Sequence, residues 1–448
     1  MSDSHSVLNF PLLARKPVSV DFSGGSLSSD GGLLLLAQLD RKLRLTERVA
    51  ACLHDPRRPN RVQHARIDLL RQRVYQMAAG YEDANDATAL RHDPAFKLAV
   101  GRPPRSGADL ASQPTLSRLE ATIAEAECDA INGVLLEQFL DRERRTPRTV
   151  VLDLDTSEHE THGQQAFAFY NDFYGSTCYL PRFLFASVPG ERDQSLVRAE
   201  LPDHQGEQTE AILESLTEVV ATLRERWPGL RVRLRADAGF ADPALYTWLE
   251  ANDIAYAIGI GANSVLQRRA KPLCQRAQKA AATSPTLSAC LYGTVWYQAG
   301  TWEKKRRVVV KVTVTPAGQK VRFLVVFGLG GTPREQYRFY GSRGDCENRL
   351  KELKEGVRSD RQSCWEFASN KVRRMLSSVA YVLLQGLRRL ARGTEWAAAQ
   401  VERLRLCLIK IGARVLESQR RVRVELCSSY PWREAWQRLA QAVGIGTG

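Results

Sequence analysis

Between Asp30 and about Arg145, hydrophobic residues recur at spacings of three and four. The runs "GGLLLLAQLDRKL", "HARIDLLRQRVYQMAAGY" and "TLSRLEATIAEAECDAINGVLLEQFLDRE" each carry this pattern, which predicts a helical domain over residues 1–145. Thr115 precedes the third run, and Ser117 with Glu120 forms a candidate capping box at its start.

Near Thr146 the texture changes to short, branched apolar runs. "RTVVLDLDTS", "TCYLPRFLFASV" and "SLVRAELP" predict three strands separated by polar turns. "QTEAILESLTEVVATLRERW" then reads as an amphipathic helix, "GLRVRLRADAGF" as a strand, "DPALYTWLEAN" as a helix with Pro243 in its first turn, and "IAYAIGIG" as a strand. Three strands followed by helix, strand, helix, strand is the element order of a ribonuclease H-like core, whose first part is assigned to residues 146–262.

Beyond Ala262 the pattern departs from that core. A basic, alanine-rich piece, "QRRAKPLCQRAQKAAATSP", precedes "SACLYGTVWYQAG" and "KKRRVVVKVTVTPAGQKVRFLVVFG", the latter a hairpin through Pro316, Ala317 and Gly318. Residues 263–335 are therefore expected to be a β-rich insertion, and residues 336–395 the second part of the core, opening on the helix of "YGSRGDCENRLKELK". In the C-terminal region, 396–448, "RLCLIKIGARVLESQRRVRVELCSSYP" predicts strands and "WREAWQRLAQAV" an amphipathic helix. The expected class is α/β, with a helical N-terminal domain, an interrupted core and a small C-terminal α+β region.

Charge narrows the function. Lys and Arg number 64 against 50 Asp and Glu, a net +14, and the cations are mostly arginine, whose planar fork matches phosphate oxygens. The basic loops "HDPRRPNR" and "GRPPRSG" in the helical region suit a DNA-binding head, although a helical dimerisation domain would share that texture. No apolar run reaches about 18 residues and "MSDSHSVLNF" carries no signal-peptide pattern, so a cytoplasmic protein without a membrane partner is expected. Nine cysteines are scattered singly without a CxxC pair, which argues for reduced thiols and against a zinc ribbon.

Acidic residues fall at three telling places. Asp153 and Asp155 lie two apart near the end of the first core strand, hence on one face; Asp237 ends the fourth strand ahead of Gly239; and Glu347 lies on the helix after the insertion. In a ribonuclease H-like sheet these sites converge. Carboxylates so gathered can hold two divalent cations about 3.5–4 Å apart and activate a water or a 3′-hydroxyl against a phosphodiester. Oxygen-only ligation selects Mg2+, with Mn2+ as a substitute. Each carboxylate alone would pass for a cap or a turn. Similarly, Glu347, Leu350, Lys351 and Lys354 recur at helical spacing and would by themselves describe a solvated face with a Glu-to-Lys pair.

Tyr340, Arg343, Glu347 and Lys354 also fit Tyr-x2-Arg-x3-Glu-x6-Lys, and in this the chain resembles DDE transposases of the insertion-sequence 4 kind. "SSDGGLLLLAQLDRKL", "GYEDANDATALRHDPAFKLAVGR", "QPTLSRLE", "LDLDTSEHETHGQQ", "RADAGF", "YGSRGDCENRLKELK" and "RRVRVELCSSYP" resemble the insertion-sequence 1380 family across almost the whole chain. The resemblance implies an Mg2+-dependent transposase of bacterial origin, associated with the nucleoid when bound to DNA. Such an enzyme binds the terminal inverted repeats of its element, nicks at the ends and joins the freed 3′-hydroxyls to target DNA, and it acts as a homodimer in the DNA complex. It implies Asp237 and Glu347 as second and third metal ligands, and Tyr340, Arg343 and Lys354 as groups holding DNA phosphates, with Lys351 beside them. The first ligand is Asp155 or Asp153; Asp155 is favoured because Thr156 and Ser157 follow it.

Two other functions share these residues: a nuclease that hydrolyses without joining, and a silent DNA-binding derivative. Weaker signals add little. In "EHETH" the spacing of His159 and His162 is three and not four, so the helical zinc geometry fails, and a polar turn near the site is expected. "GLGGTP" at Gly328 is a turn, its spacing not being GxGxxG. Trp365 and Phe367 stay open to two readings, as stacking platforms for an unpaired base or as core anchors of the helix that follows.

Overall fold

The computed structural model describes residues 7–13, 15–143, 145–191, 193–203 and 208–446; the leading "MSDSHS" lies outside them. The chain divides into two compact units, one of residues 1–123, 356–358 and 379–448, the other of residues 124–355 and 359–378.

The second unit is built on an eight-stranded mixed sheet. Its strands in chain order are β1 (Thr149–Thr156), β2 (Arg182–Ser187), β3 (Ser195–Glu200), β4 (Arg231–Ala236), β5 (Ala255–Ile260), β6 (Ala289–Tyr297), β7 (Arg306–Thr315) and β8 (Gly318–Phe327). Across the sheet they run β6-β7-β8-β5-β4-β1-β2-β3. β1, β4 and β5 are mutually parallel neighbours, β2 lies antiparallel to β1, and β3 antiparallel to β2. The helices Gln208–Arg226 and Pro243–Ala251 connect β3 to β4 and β4 to β5, as the 3.6-residue pattern predicts. Each connection between parallel strands needs such a crossover, because a short turn cannot reverse the chain twice.

The strands expected as an inserted piece are hydrogen-bonded into this same sheet: β8 pairs antiparallel with β5, from Tyr256 beside Phe327 to Ile260 beside Phe323. The alanine-rich stretch before them is a helix, Ser264–Ala282. Alternation along β1 sends Val150, Leu152 and Leu154 into the main core with Leu184, Val232, Leu234 and Ile258, and leaves Val151, Asp153 and Asp155 on the opposite face. On that second face Tyr337, from the helix Pro333–Gly341, packs with Ala257, Val309, Leu324 and Val326.

The run from Thr115 to Glu143 forms two helices, Gln113–Thr122 and Glu125–Arg142, separated by extended residues Ile123 and Ala124. The expected capping box at Ser117 and Glu120 is not formed. The first helix begins after Ser112, so both residues are interior, and Glu120 is buried in an ion pair with Arg73 at 2.7 Å. Neutralising a buried arginine takes precedence over capping there.

In the first unit, Leu27–Ser28, Ala413–Glu417 and Val422–Leu426 form a small antiparallel sheet, so segments far apart in sequence pair directly. Of the strands expected in "RLCLIKIGARVLESQRRVRVEL", the last two are present, whereas Arg405–Ile409 is a π-helical turn. Gly31 and Gly32 donate backbone hydrogen bonds to Ile411 and Ile409, and Asp30 pairs with Lys410 at 2.7 Å. A Cβ on Gly32 would fall on the Leu408 carbonyl. Gly32→Ala is therefore predicted to lower stability by about 1–3 kcal/mol, the usual cost of overpacking. Urea denaturation measures this, and an unchanged midpoint would refute the close approach as a constraint.

Candidate active site

Two parallel strands deliver the acidic residues to one edge of the sheet. In the β4–β1 register Arg235 lies beside Asp153 and Ala236 beside Leu154, so Asp237, one residue on, reaches the end of β1 next to Asp155. Asp237 turns the chain there, its Oδ1 accepting the Gly239 N–H at 2.9 Å. The helix Gly344–Lys351 packs against β1 and presents Glu347 in its first turn.

Asp153 and Asp155 share a face but not an environment. Asp153 is fully buried, and both its oxygens are held by the fork of Arg235, Nε and Nη2 each at 2.6 Å. Gln194 Nε2 adds a bond to Oδ2 at 2.8 Å, and Arg235 Nη1 donates to the Phe339 carbonyl at 2.9 Å. Asp155 instead accepts from Arg343 Nη1 at 2.5 Å, and Arg343 Nη2 reaches Glu347 Oε1 at 2.9 Å. One guanidinium thus bridges two of the candidate carboxylates.

Burial pushes the Asp155 carboxyl up to about 7; Arg343 opposes this, and the nearby charges of Asp237 and Glu347 reinforce it. Three carboxylates crowd around one arginine. Glu347 itself is open, its side chain 60% exposed. Tyr340 completes this side: a Cβ on Gly259 would come within 3.1 Å of its hydroxyl and 3.3 Å of the Asp237 carbonyl carbon, so only glycine leaves the ring this room. Burial raises the Tyr340 phenol, Arg343 lowering it and Asp237 raising it further.

The four positions of the Tyr-Arg-Glu-Lys pattern do not share one helix. Tyr340 lies in the last turn of the helix Pro333–Gly341, Arg343 is the N-cap of the next, Glu347 is in its first turn, and Lys354 lies in the π turn Glu352–Gly356. A face extending from Glu347 to Lys354 at regular spacing is therefore interrupted, as such turns do at functional sites. Lys354 donates to the Glu158 carbonyl at 2.6 Å and to its carboxylate at 2.8 Å, and Lys351 stands 3.8 Å from Glu355 on the surface. The Glu-to-Lys pairing considered for this helix is replaced by Arg343 on Glu347, because the new helix starts after Ser342 and puts Arg343 at its N-cap, one turn before Glu347.

"EHETH" belongs to a small three-stranded sheet between β1 and β2, formed by His159–Glu160, Phe169–Asn171 and Ser176–Tyr179. His159 is buried, and burial pulls its imidazole down to about 3, whereas His162 is exposed. The tip of this sheet was not singled out from the sequence. Asn171 Oδ1 accepts the N–H groups of Phe173 and Tyr174 at 3.0 and 3.3 Å, and Phe173 is 87% exposed. Burial raises the Tyr174 phenol, and the charges of Asp237 and Asp155 raise it further. An aromatic pair between a turn-forming Asn171 and Gly175 was the available signal. Arg235 and Glu158 were also missed.

Trp365 and Phe367 part company. Phe367 is buried against Tyr179, ring centroids 5.5 Å apart, while Trp365 is 65% exposed. The core-anchor reading holds for Phe367 and fails for Trp365, which precedes the helix Phe367–Leu390.

An oxygen-only donor set gathered around excess negative charge suits a hard divalent cation. Asp155, Asp237 and Glu347 provide such a set, although among the described residues no three metal-ligating side chains stand close enough to share one ion, Arg343 lying between Asp155 and Glu347 instead. Among the described residues no cysteine is in a disulfide, and no helix is long and apolar enough to cross a membrane. No curated protein matches the chain. The family model for the transposase DDE domain, group 1, does match, over residues 10–444, and the chain belongs to this family of DDE transposases.

Proposed function

We propose that this transposase cleaves the ends of its insertion sequence and transfers the freed strands to target DNA, using Asp155, Asp237 and Glu347 as its acidic triad. The observation that carries the proposal is that adjacent parallel strands end on Asp155 and Asp237, with Arg343 shared between Asp155 and Glu347. The strand order β3-β2-β1-β4-β5, with β1, β4 and β5 parallel, supports a ribonuclease H-like catalytic core. The phrases shared with the insertion-sequence 1380 family support terminal inverted repeats as the DNA recognised, residues 1–145 as the DNA-binding head, and a homodimer that pairs two ends.

The triad would hold Mg2+ or Mn2+, which supplies Lewis acidity to the phosphodiester and a deprotonated nucleophile near neutral pH. The chain's own groups do the remaining work. Arg343 and Lys354 hold non-bridging phosphate oxygens beside the carboxylates and oppose the charge that develops on phosphorus. The Tyr340 hydroxyl contributes a further donor from its place over Gly259, exposed Lys351 steadies the backbone beyond, and Trp365 offers a stacking face. In cleavage a water oxygen bonds to phosphorus as the bond to the 3′-oxygen breaks. In joining, that 3′-hydroxyl attacks a target phosphodiester and displaces a second 3′-oxygen.

Asp153 is assigned to structure rather than ligation, because Arg235 and Gln194 already occupy both of its oxygens. The test is incubation of a labelled duplex carrying the element's end with the protein and Mg2+, followed by pre-cut ends with target DNA. Nicking and joining are the expected results. Nicking without joining would make the protein a nuclease, and binding without nicking a silent derivative.

A further inference from the structure

The chain's positive charge is not spread along it. Residues 254–334 contain thirteen Lys and Arg and one acidic residue, Glu303, a net +12 of the whole chain's +14. Within this segment the helix Ser264–Ala282 has two unlike faces. Leu266, Ala270 and Ala277 enter the main core. Arg268, Arg269, Lys271, Arg276 and Lys279 are all exposed on the opposite side, spread over roughly half the helix circumference at 100° per residue.

No Asp or Glu lies on this helix, and among the described residues none of the five cations forms an ion pair; Arg269 alone has a partner, the ring of Tyr297 at 6.0 Å. Arg268 with Lys271 and Arg276 with Lys279 are like charges three residues apart, an arrangement that costs an isolated helix a few tenths of a kcal/mol per pair. A solvated face of ordinary design would interleave acids. Exposed Lys320 and Arg322 on β8, and Lys305 just before β7, carry the same sign.

We propose that this helix face is a second DNA-binding surface, outside the carboxylate site, that follows the phosphate backbone of the bound duplex without reading its sequence. The inference rests on the DNA-cleaving function proposed above and names the surface that holds the substrate there. The helix begins at Ser264, soon after β5 ends at Ile260, and β5 runs parallel to β4, so its start lies at the same end of the strands as Asp237. From Arg268 to Lys279 the helix rises about 16 Å. Over that length duplex DNA carries about ten phosphates on its two strands. Arginine predominates on the face, which suits paired hydrogen bonds to phosphate oxygens. An anionic membrane surface fits less well, since the helix's apolar side is already buried in the core and has nothing left to insert.

The experiment measures affinity for a labelled duplex of random sequence as a function of salt, with the full chain carrying Arg268→Gln, Lys271→Gln, Arg276→Gln and Lys279→Gln together. Because each lost phosphate contact removes about 0.9 from the slope of log K against log salt, the slope is expected to fall by about 2–4, with binding about 10- to 100-fold weaker at low salt. Circular dichroism and the melting temperature verify the fold, and a second variant, Arg268→Lys with Arg276→Lys, is expected to keep the wild-type slope. A quadruple variant that binds with wild-type affinity and slope overturns the inference while leaving the DNA-cleaving reading intact. A wild-type protein that binds no duplex overturns both.

Discussion

Asp155→Asn is expected to lower strand cleavage by at least about 10³-fold, in the range that loss of a key electrostatic or acid–base group costs other enzymes, while DNA binding persists. Asp237→Asn and Glu347→Gln are expected to fall with it. The substitutions keep shape and hydrogen-bonding capacity and remove only the charge that the site concentrates. In Asp155→Asn, Arg343 retains Glu347 as a partner, so the local ion pairing is weakened and not abolished. Glu347 is exposed on its helix and Asp237 half-buried at a strand end, so neither change strains the core. Single-turnover cleavage of an end-labelled duplex at saturating protein separates chemistry from binding. If Asp155→Asn cuts within about tenfold of wild type, the proposed triad is wrong at its first member. If all three variants lose binding along with cleavage, the carboxylates would be shaping the DNA surface and not the reaction.

Much of the second unit's plan could be read in advance, and the reasons lie in particular residues. "VVLDLDT" alternates cleanly enough to show a strand with two aspartates on one face, and Pro243 and Gly239 punctuate the following elements where they begin and turn. What the sequence pattern could not reveal was which of two equivalent aspartates is held by Arg235 and which by Arg343. That choice depends on register: Arg235 comes alongside Asp153, and not Asp155, only because β4 pairs with β1 in one particular alignment. A shift by two residues would have exchanged their roles.

The signature residues show the same limit. Their spacing resembles one helical face, yet the break at Ser342–Arg343 and the π turn at Glu352–Gly356 distribute them over two helices and a turn, leaving Arg343 on Asp155 and Lys354 on Glu158. Long-range partners such as Glu158 and Lys354, nearly two hundred positions apart, leave no local trace. The pairing of Leu27–Ser28 with Ala413–Glu417 is similarly invisible to periodicity.

Asp153→Ala is expected to destabilise the protein by about 3–5 kcal/mol, the cost of leaving one partner of a buried ion pair alone. Arg235 is the partner at risk: its side chain is 6% exposed, and removing the carboxylate strips two of its three guanidinium nitrogens of their bonds. Water cannot easily replace them at a position this enclosed. Burial raises the Asp153 carboxyl, and the Arg235 guanidinium bound to it opposes that rise. Replacing both, with Asp153→Leu and Arg235→Met, is therefore expected to recover most of the lost stability, since packed apolar groups substitute well for a buried pair. The double variant also decides what Asp153 does. A residue that only supports its neighbours costs about 10- to 100-fold in activity when removed. Cleavage by the folded double variant should lie in that range, well above the Asp155→Asn level. Urea denaturation gives the first comparison and single-turnover cleavage the second. A double variant that is as stable as wild type but as inactive as Asp155→Asn would make Asp153 a ligand after all, and would move the first position of the triad two residues back along β1.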